Sequence, residues 1–207
     1  MAKIVEIKTF TVPPRWVFVR IATNDGLVGW GEAIVPKRVR AVVGAIEDMA
    51  FNIADIDSAR IEEVAQRLRR GGFFRGGPIL ATAAAAIDQA LWDLKGRAHG
   101  LPIHEFLGGK VRDTLRSYAW IGGDSPADVV AHARERMAQG FTAVKMNATP
   151  ALAPLGAAAI IDAAAERMAS LREAFGNSLD IALDFHGREI VRVRHGVVLE
   201  RSRDELA

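Results

Sequence analysis

From residue 115 onward the chain repeats one rhythm: a short β-prone run, a capped amphipathic helix, and a β-prone run again. Residues 115–120 read as a strand. Ser125-Pro126 with Asp128 in the next turn is a helix start, because the hydroxyl caps, proline suits the first position, and an acid favours that end. Val129, Val130, Ala133 and Met137 give the helix its buried side, and Gly140 stops it. Residues 142–146 form the next strand. Ile160, Ile161, Ala164, Met168, Leu171 and Phe175 mark a second helix closed by Gly176, and residues 181–185 a third strand. Short strands separated by helices pair in parallel through crossovers, so this stretch predicts a βαβαβ sheet.

The preceding hundred residues follow another plan. Residues 4–12, 16–22 and 27–33 alternate as strands, and Asn24-Asp25-Gly26 is a hairpin turn between the second and third. Trp30 and Glu32 then share a face. Helical stripes follow: Val39 through Ile53, then Ile61, Val64, Ala65 and Leu68 with Ser58 as its N-cap. A third helix opens at Pro78 and ends at Gly100, with Pro102 just beyond. Strands in a meander followed by helices predict an α+β unit. The expected fold is therefore an α+β N-terminal unit over residues 1–113, then an α/β βαβαβ unit over 114–188.

Half of the residues are apolar and the net charge is +2, so a packed globular chain is expected and no nucleic-acid footprint stands out. With no cysteine, disulfides, thiolate zinc and thiol nucleophiles are excluded, in keeping with a cytoplasmic setting. The most apolar helix is broken by Asp88 and Asp93, so a core helix rather than a membrane span is expected.

Parallel sheets bind ligands at the carboxyl ends of their strands. There the chain offers Tyr118, Trp120 and Gly122-Gly123, then Lys145 and Asn147, then Asp184 and His186. Lys145 with Asn147, and Asp184 with His186, are pairs two residues apart that share a strand face. A carboxylate beside an imidazole suits a metal site with an adjacent acid or base. The plainer reading gives Asp184 a helix-capping role and leaves Lys145 solvated. Arg69-Arg-Gly-Gly-Phe-Phe-Arg-Gly-Gly77 reads as a glycine-hinged cover with Arg75 available to an anion, in preference to an RNA-stacking tract. His99, His104, His132 and His195 have no partner spacing and read as surface or cap-adjacent residues.

Eight stretches, taken in order, carry a resemblance. They are Pro14-Arg-Trp16, Gly29-Trp-Gly-Glu32, Phe74-Arg-Gly-Gly-Pro-Ile79, Ile87-Asp-Gln-Ala-Leu-Trp-Asp-Leu-Lys95, Leu107-Gly-Gly109, Trp120-Ile-Gly-Gly-Asp124, Lys145-Met-Asn147 and Asp184-Phe-His-Gly-Arg188. Together they resemble the enolase superfamily in its mandelate racemase/muconate lactonizing branch, and within it the acid-sugar dehydratases, those of D-galactonate foremost. The resemblance implies an N-terminal lid followed by a modified (β/α) barrel of the TIM type. It implies Mg²⁺ bound by Asp184 and stabilising the enediolate formed when a base takes the α-proton, with His186 protonating the departing 3-hydroxyl. Lys145, Asn147, Arg15 and Arg75 would contact a small acid-sugar substrate. Racemases of this branch carry Lys-x-Lys where this chain has Lys145-Met-Asn147, and an amide cannot abstract a proton, so dehydration is favoured over racemisation; the resemblance implies conversion of D-galactonate to 2-dehydro-3-deoxy-D-galactonate.

The family's two further metal-binding glutamates and its histidine base would lie on later barrel strands. A barrel of this kind takes roughly 250 residues, and residues 189–207 break the rhythm like a reading-frame change or an early stop. The expectation is a lid with about three barrel strands, inactive and aggregation-prone alone, with a homo-oligomer possible for a full-length relative. A dehydratase for gluconate or mannonate, and a non-catalytic remnant that associates with such a relative, are the alternatives.

Overall fold

The Asp25-Gly26 turn sets the register of the first sheet. Gly26 adopts φ +88°, which costs a residue without a Cβ nothing. Trp16–Thr23 (β2) then returns as Val28–Glu32 (β3), with Val19 opposite Gly31 and Ile21 opposite Gly29. Ile4–Val12 (β1) pairs antiparallel along the other side of β2, giving the order β1-β2-β3. The computed structural model describes residues 2–148, 158–185, 191–193 and 199–201.

Alternation puts Val17, Val19 and Ile21 on one face of β2, all fully buried. Helices Val39–Ala50 (α1), Ile61–Arg70 (α2) and Gly77–His99 (α3) close the core of this unit with Val42, Ile46, Val64, Ile87 and Leu91. Each such side chain contributes roughly 1.5–3 kcal/mol by leaving water. α3 lies against β3 because Gly29 and Gly31 leave room: a Cβ there would stand 2.1 Å from the Ala90 carbonyl oxygen and 2.0 Å from that of Ala86. The edge amides of β3 are then met by helix side chains. The Trp30 N–H donates to Asp93 Oδ2 at 2.9 Å and the Glu32 N–H to Gln89 Oε1 at 3.1 Å. The pairing explains why Gln89 and Asp93 stand four apart on α3.

Two local expectations are corrected. Ser58 does not cap α2, which begins at Ile61 after Arg60 without a side-chain cap. The Ser58 N–H donates to the Ala2 carbonyl and Asp57 bridges to Lys3, so this backbone serves the N-terminal strand instead. α1 ends at Ala50, although Ile53 beyond it is still fully buried. A short helix, Ile103–Phe106 (α4), follows Pro102 where none was anticipated.

The chain divides into two compact units, Met1–Asp113 and Thr114–Ala207. In the second, Ala119–Trp120 (β4), Ala143–Asn147 (β5) and Asp180–Asp184 (β6) pair in parallel in the order β4-β5-β6. Pro126–Ala138 (α5) and Ala158–Phe175 (α6) are the crossovers. The expected cap is present as a reciprocal box: the Asp128 N–H donates to Ser125 Oγ at 3.2 Å and the Ser125 N–H to Asp128 Oδ2 at 3.3 Å. β4 is shorter than the 115–120 run. Arg116 turns its guanidinium to the Thr142 carbonyl and hydroxyl and to Asp180, joining the amino ends of β5 and β6. Val191–Val193 (β7) and Leu199–Arg201 (β8) pair antiparallel. The architecture is the expected one, an antiparallel lid unit followed by a three-stranded parallel α/β unit. Among the described residues no helix is long and apolar enough to cross a membrane.

Candidate active site

β5 has two faces with different work. Val144 and Met146 are buried under α5 and α6, beside Val129, Ala133 and Leu171. Lys145 and Asn147 point the other way, by the two-residue period of a strand. Parallel register places Trp120, Lys145 and Ala182 in one row, and Asn147 beside Asp184 in the next, nearer the carboxyl ends. The structure thus brings together Lys145, Asn147 and Asp184 from neighbouring strands. The Ala148 N–H, donating to the Asp184 carbonyl at 3.0 Å, extends that ladder one step further.

Lys145 Nζ lies 2.5 Å from Asp184 Oδ2, with both side chains partly shielded. The hydrogen bond to this carboxylate, aided by its charge, holds the Lys145 ammonium above its ordinary value, although desolvation pulls the other way. An amine held in this way stays protonated near neutral pH and cannot serve as a base there. The same ammonium lies 5.9 Å from the centre of the exposed Tyr118 ring. The face therefore offers a fixed cation, an amide and a carboxylate, flanked by Tyr118 and Trp120.

The donor chemistry fits a hard cation in part. Asp184 has the carboxylate oxygens that Mg²⁺ prefers. Among the described residues, however, no group of three His, Asp or Glu side chains comes together. His186 lies outside the described residues.

Arg15 and Arg75 belong to the first unit, in separate clefts. Arg15 lines one of about 730 Å³ with Pro14, Pro36, Lys37, Arg38 and Arg40. Its guanidinium rests 5.4 Å from the Trp16 ring centre. Lys37 holds a positive φ of 64°, uncommon for a residue with a Cβ. Sequence reasoning passed over Lys37, Arg38 and Arg40, although this basic run beside a proline was the available signal. Arg75 lines a groove of about 620 Å³ together with Arg67, Arg69 and Asp48, under the loop that carries Phe74. Phe73 and Phe74 stand exposed and edge-to-face, 5.3 Å apart.

A helix-covered lid sheet followed by parallel strands, with a carboxylate at a strand's carboxyl end, defines a class, and comparison with known proteins places the chain in it. Residues 6–108 match the mandelate racemase/muconate lactonizing enzyme N-terminal domain, and residues 128–195 match the enolase C-terminal domain-like family. The chain belongs to the enolase superfamily, in its mandelate racemase/muconate lactonizing branch. It is 47% identical over 186 residues to a D-galactonate dehydratase of Ralstonia nicotianae, covering 90% of this chain and 49% of the relative. A D-galactonate dehydratase of Verminephrobacter eiseniae is 45% identical, covering 96% of this chain and 52% of the relative. Among solved structures, an enolase superfamily member from Salmonella Typhimurium superposes with TM-score 0.82 at 28% identity, over 90% of this chain and 55% of that one. An enolase from Pantoea ananatis with bound D-gluconate and Mg superposes with TM-score 0.79 at 30% identity, over 91% and 54%. The chain spans about half the length of the curated relatives it matches.

Proposed function

We propose that the chain carries the lid and the first site-bearing strands of a Mg²⁺-dependent acid-sugar dehydratase, with D-galactonate as substrate and 2-dehydro-3-deoxy-D-galactonate as product. The observation that carries this reading is Asp184 at the carboxyl end of β6, beside Asn147 and Lys145, in a chain 47% identical to a D-galactonate dehydratase.

Asp184 would hold the cation. When bound, Mg²⁺ supplies electrostatic stabilisation of the charge that develops on the substrate as its α-proton leaves. Lys145, held as an ammonium, attracts an anionic substrate to this face and takes no proton from it. Asn147 offers an amide oxygen and two N–H donors to a hydroxylated chain. His186, two residues past Asp184 in sequence, donates the proton that lets the 3-hydroxyl depart as water, since hydroxide is a poor leaving group. For Arg15 and Arg75, each in its own cleft of the first unit, the proposed role is recognition of the anionic acid-sugar substrate. Because the described residues supply a single carboxylate here, turnover depends on donors beyond them, and the 207-residue chain alone is inactive.

The test is a chimera in which residues 1–188 replace the matching part of the Ralstonia nicotianae enzyme. It is assayed with Mg²⁺ on D-galactonate, D-gluconate and D-mannonate, beside the 207-residue chain alone. Dehydration of D-galactonate by the chimera, lost in Asp184→Asn and in His186→Asn, is expected. Undiminished turnover in Asp184→Asn would remove the metal role, and turnover by the 207-residue chain would remove the need for further donors. The bound D-gluconate in the Pantoea ananatis relative favours a second reading, a gluconate dehydratase. Preference of the chimera for gluconate would establish that one instead.

A further inference from the structure

Arg167 sits on α6 with 3% of its surface exposed. Each hydrogen-bond partner of its guanidinium among the described residues is a backbone carbonyl. Nε reaches Ala163 on its own helix at 3.3 Å, Nη1 reaches Gly123 at 3.2 Å, and Nη2 reaches Ala148 at 2.5 Å. The last two carbonyls lie just beyond β4 and β5. A buried guanidinium satisfied by carbonyls rather than an anion is expensive in desolvation, and its planar fork fixes the spacing of whatever it grips. The gripped groups lead to the site. Ala148 accepts from Arg167 through its carbonyl and donates its N–H to the Asp184 carbonyl at 3.0 Å. Gly123 takes φ +115°, and the carbonyl before it, that of Gly122, lies 2.9 Å from His132 Nδ1. Both carbonyls of this glycine corner are thereby held from the helix side.

We infer that Arg167 is a positioning residue: one buried fork on α6 fixes the exits of β4 and β5 and, through the Ala148 peptide, the backbone that carries Asp184. The site-related part of this inference rests on reading that end of the sheet as the active site. The other end of the strands has its own tie, the exposed Arg116 on Thr142 and Asp180, outside the reach of Arg167.

Residue-resolved amide exchange on the 207-residue chain tests it, with Arg167→Met and Arg167→Lys. Two amides in the same sheet are compared: Ala148, bonded to the Asp184 carbonyl, and Asp180, bonded to the Thr142 carbonyl at 3.0 Å. In Arg167→Met, exchange at Ala148 should speed by roughly tenfold or more while Asp180 changes less than about twofold. Arg167→Lys should fall between, since an ammonium keeps the charge but reaches one carbonyl at a time. Equal acceleration at both amides would make Arg167 a general stabiliser, and unchanged exchange at Ala148 would show that the fork holds nothing; either overturns the inference. Should Arg167→Met not fold, the lysine variant carries the same comparison. No substrate enters the measurement, so failure of the dehydratase reading and failure of this one are separable.

Discussion

Lys145 and Asp88 are both shifted upward, one by a partner and the other by burial, with opposite consequences for stability. Lys145 is held above its ordinary 10.5, first by the hydrogen bond to Asp184. A folded-state value above the unfolded one means that the contribution from the lysine's charge is complete below the ordinary lysine range and is lost as pH rises through the shifted value. Lys145 therefore lends no pH dependence to stability near neutrality. Titration of the Lys145 side-chain carbon signal by NMR should give a midpoint above 10.5; a lower one would mean that the ion pair does not form in solution. Asp88 is raised from 3.8 by desolvation, with nearby Arg69 lowering it and Glu62 adding to the rise. Here the folded state binds the proton more tightly, so the penalty on folding grows as pH rises from the ordinary 3.8 and is complete above the raised value. Asp88→Asn should raise Tm at about pH 7, and the gain should vanish near pH 3, where both side chains are neutral. Calorimetry at the two pH values checks it, and a variant less stable at neutral pH would contradict the assigned cause.

Whole elements follow from a few residues whose substitution has a calculable direction. An added methyl at Gly31 must displace the Ala86 carbonyl, and displacing helix backbone costs more than displacing a side chain. Gly31→Ala should lose about 3 kcal/mol in denaturant unfolding, the upper part of the overpacking range. Removing the Ser125 cap should cost about 1 kcal/mol, confined to the start of α5. The Ser125 start, the Gly100 stop (φ +65°) and the Asp25-Gly26 turn were legible in sequence because each is a local backbone demand that only certain residues meet. So was the pairing of Lys145, Asn147 and Asp184, since alternation and parallel order leave little choice of face. Ser58 misled because its backbone belongs to a non-local bridge, invisible to a window of sequence. Arg167 was missed for a related reason. It stands three residues after Ala164 and four before Leu171, on the buried stripe, and only the fold reveals which carbonyls wait there. A charge on an apolar stripe was the available signal.

At the scale of the molecule the two units manage their sheet edges differently. In the first, Gln89 and Asp93 of α3 occupy the outer amides of β3, so the edge offers little to a second chain. In the second, β4 and β6 are, among the described residues, the outer strands of a three-stranded parallel sheet, with α5 and α6 packed on the Val144 and Met146 face. Parallel sheets are ordinarily covered on both faces, and unpaired strand edges template further pairing. On the face opposite the helices, Trp120 is 58% exposed and Ala182 is exposed as well. The 207-residue chain should therefore self-associate through β6 and this face, with a weight-average sedimentation coefficient that rises with concentration across the micromolar range. A lysine on an edge strand opposes such pairing by placing like charges against each other where two copies meet. Ala182→Lys should accordingly shift the curve toward the monomer while leaving the circular dichroism melt of the lid unchanged. A wild-type chain that sediments as one concentration-independent monomer would mean that the edge of β6 is already protected, and this account of the second unit would have to be given up.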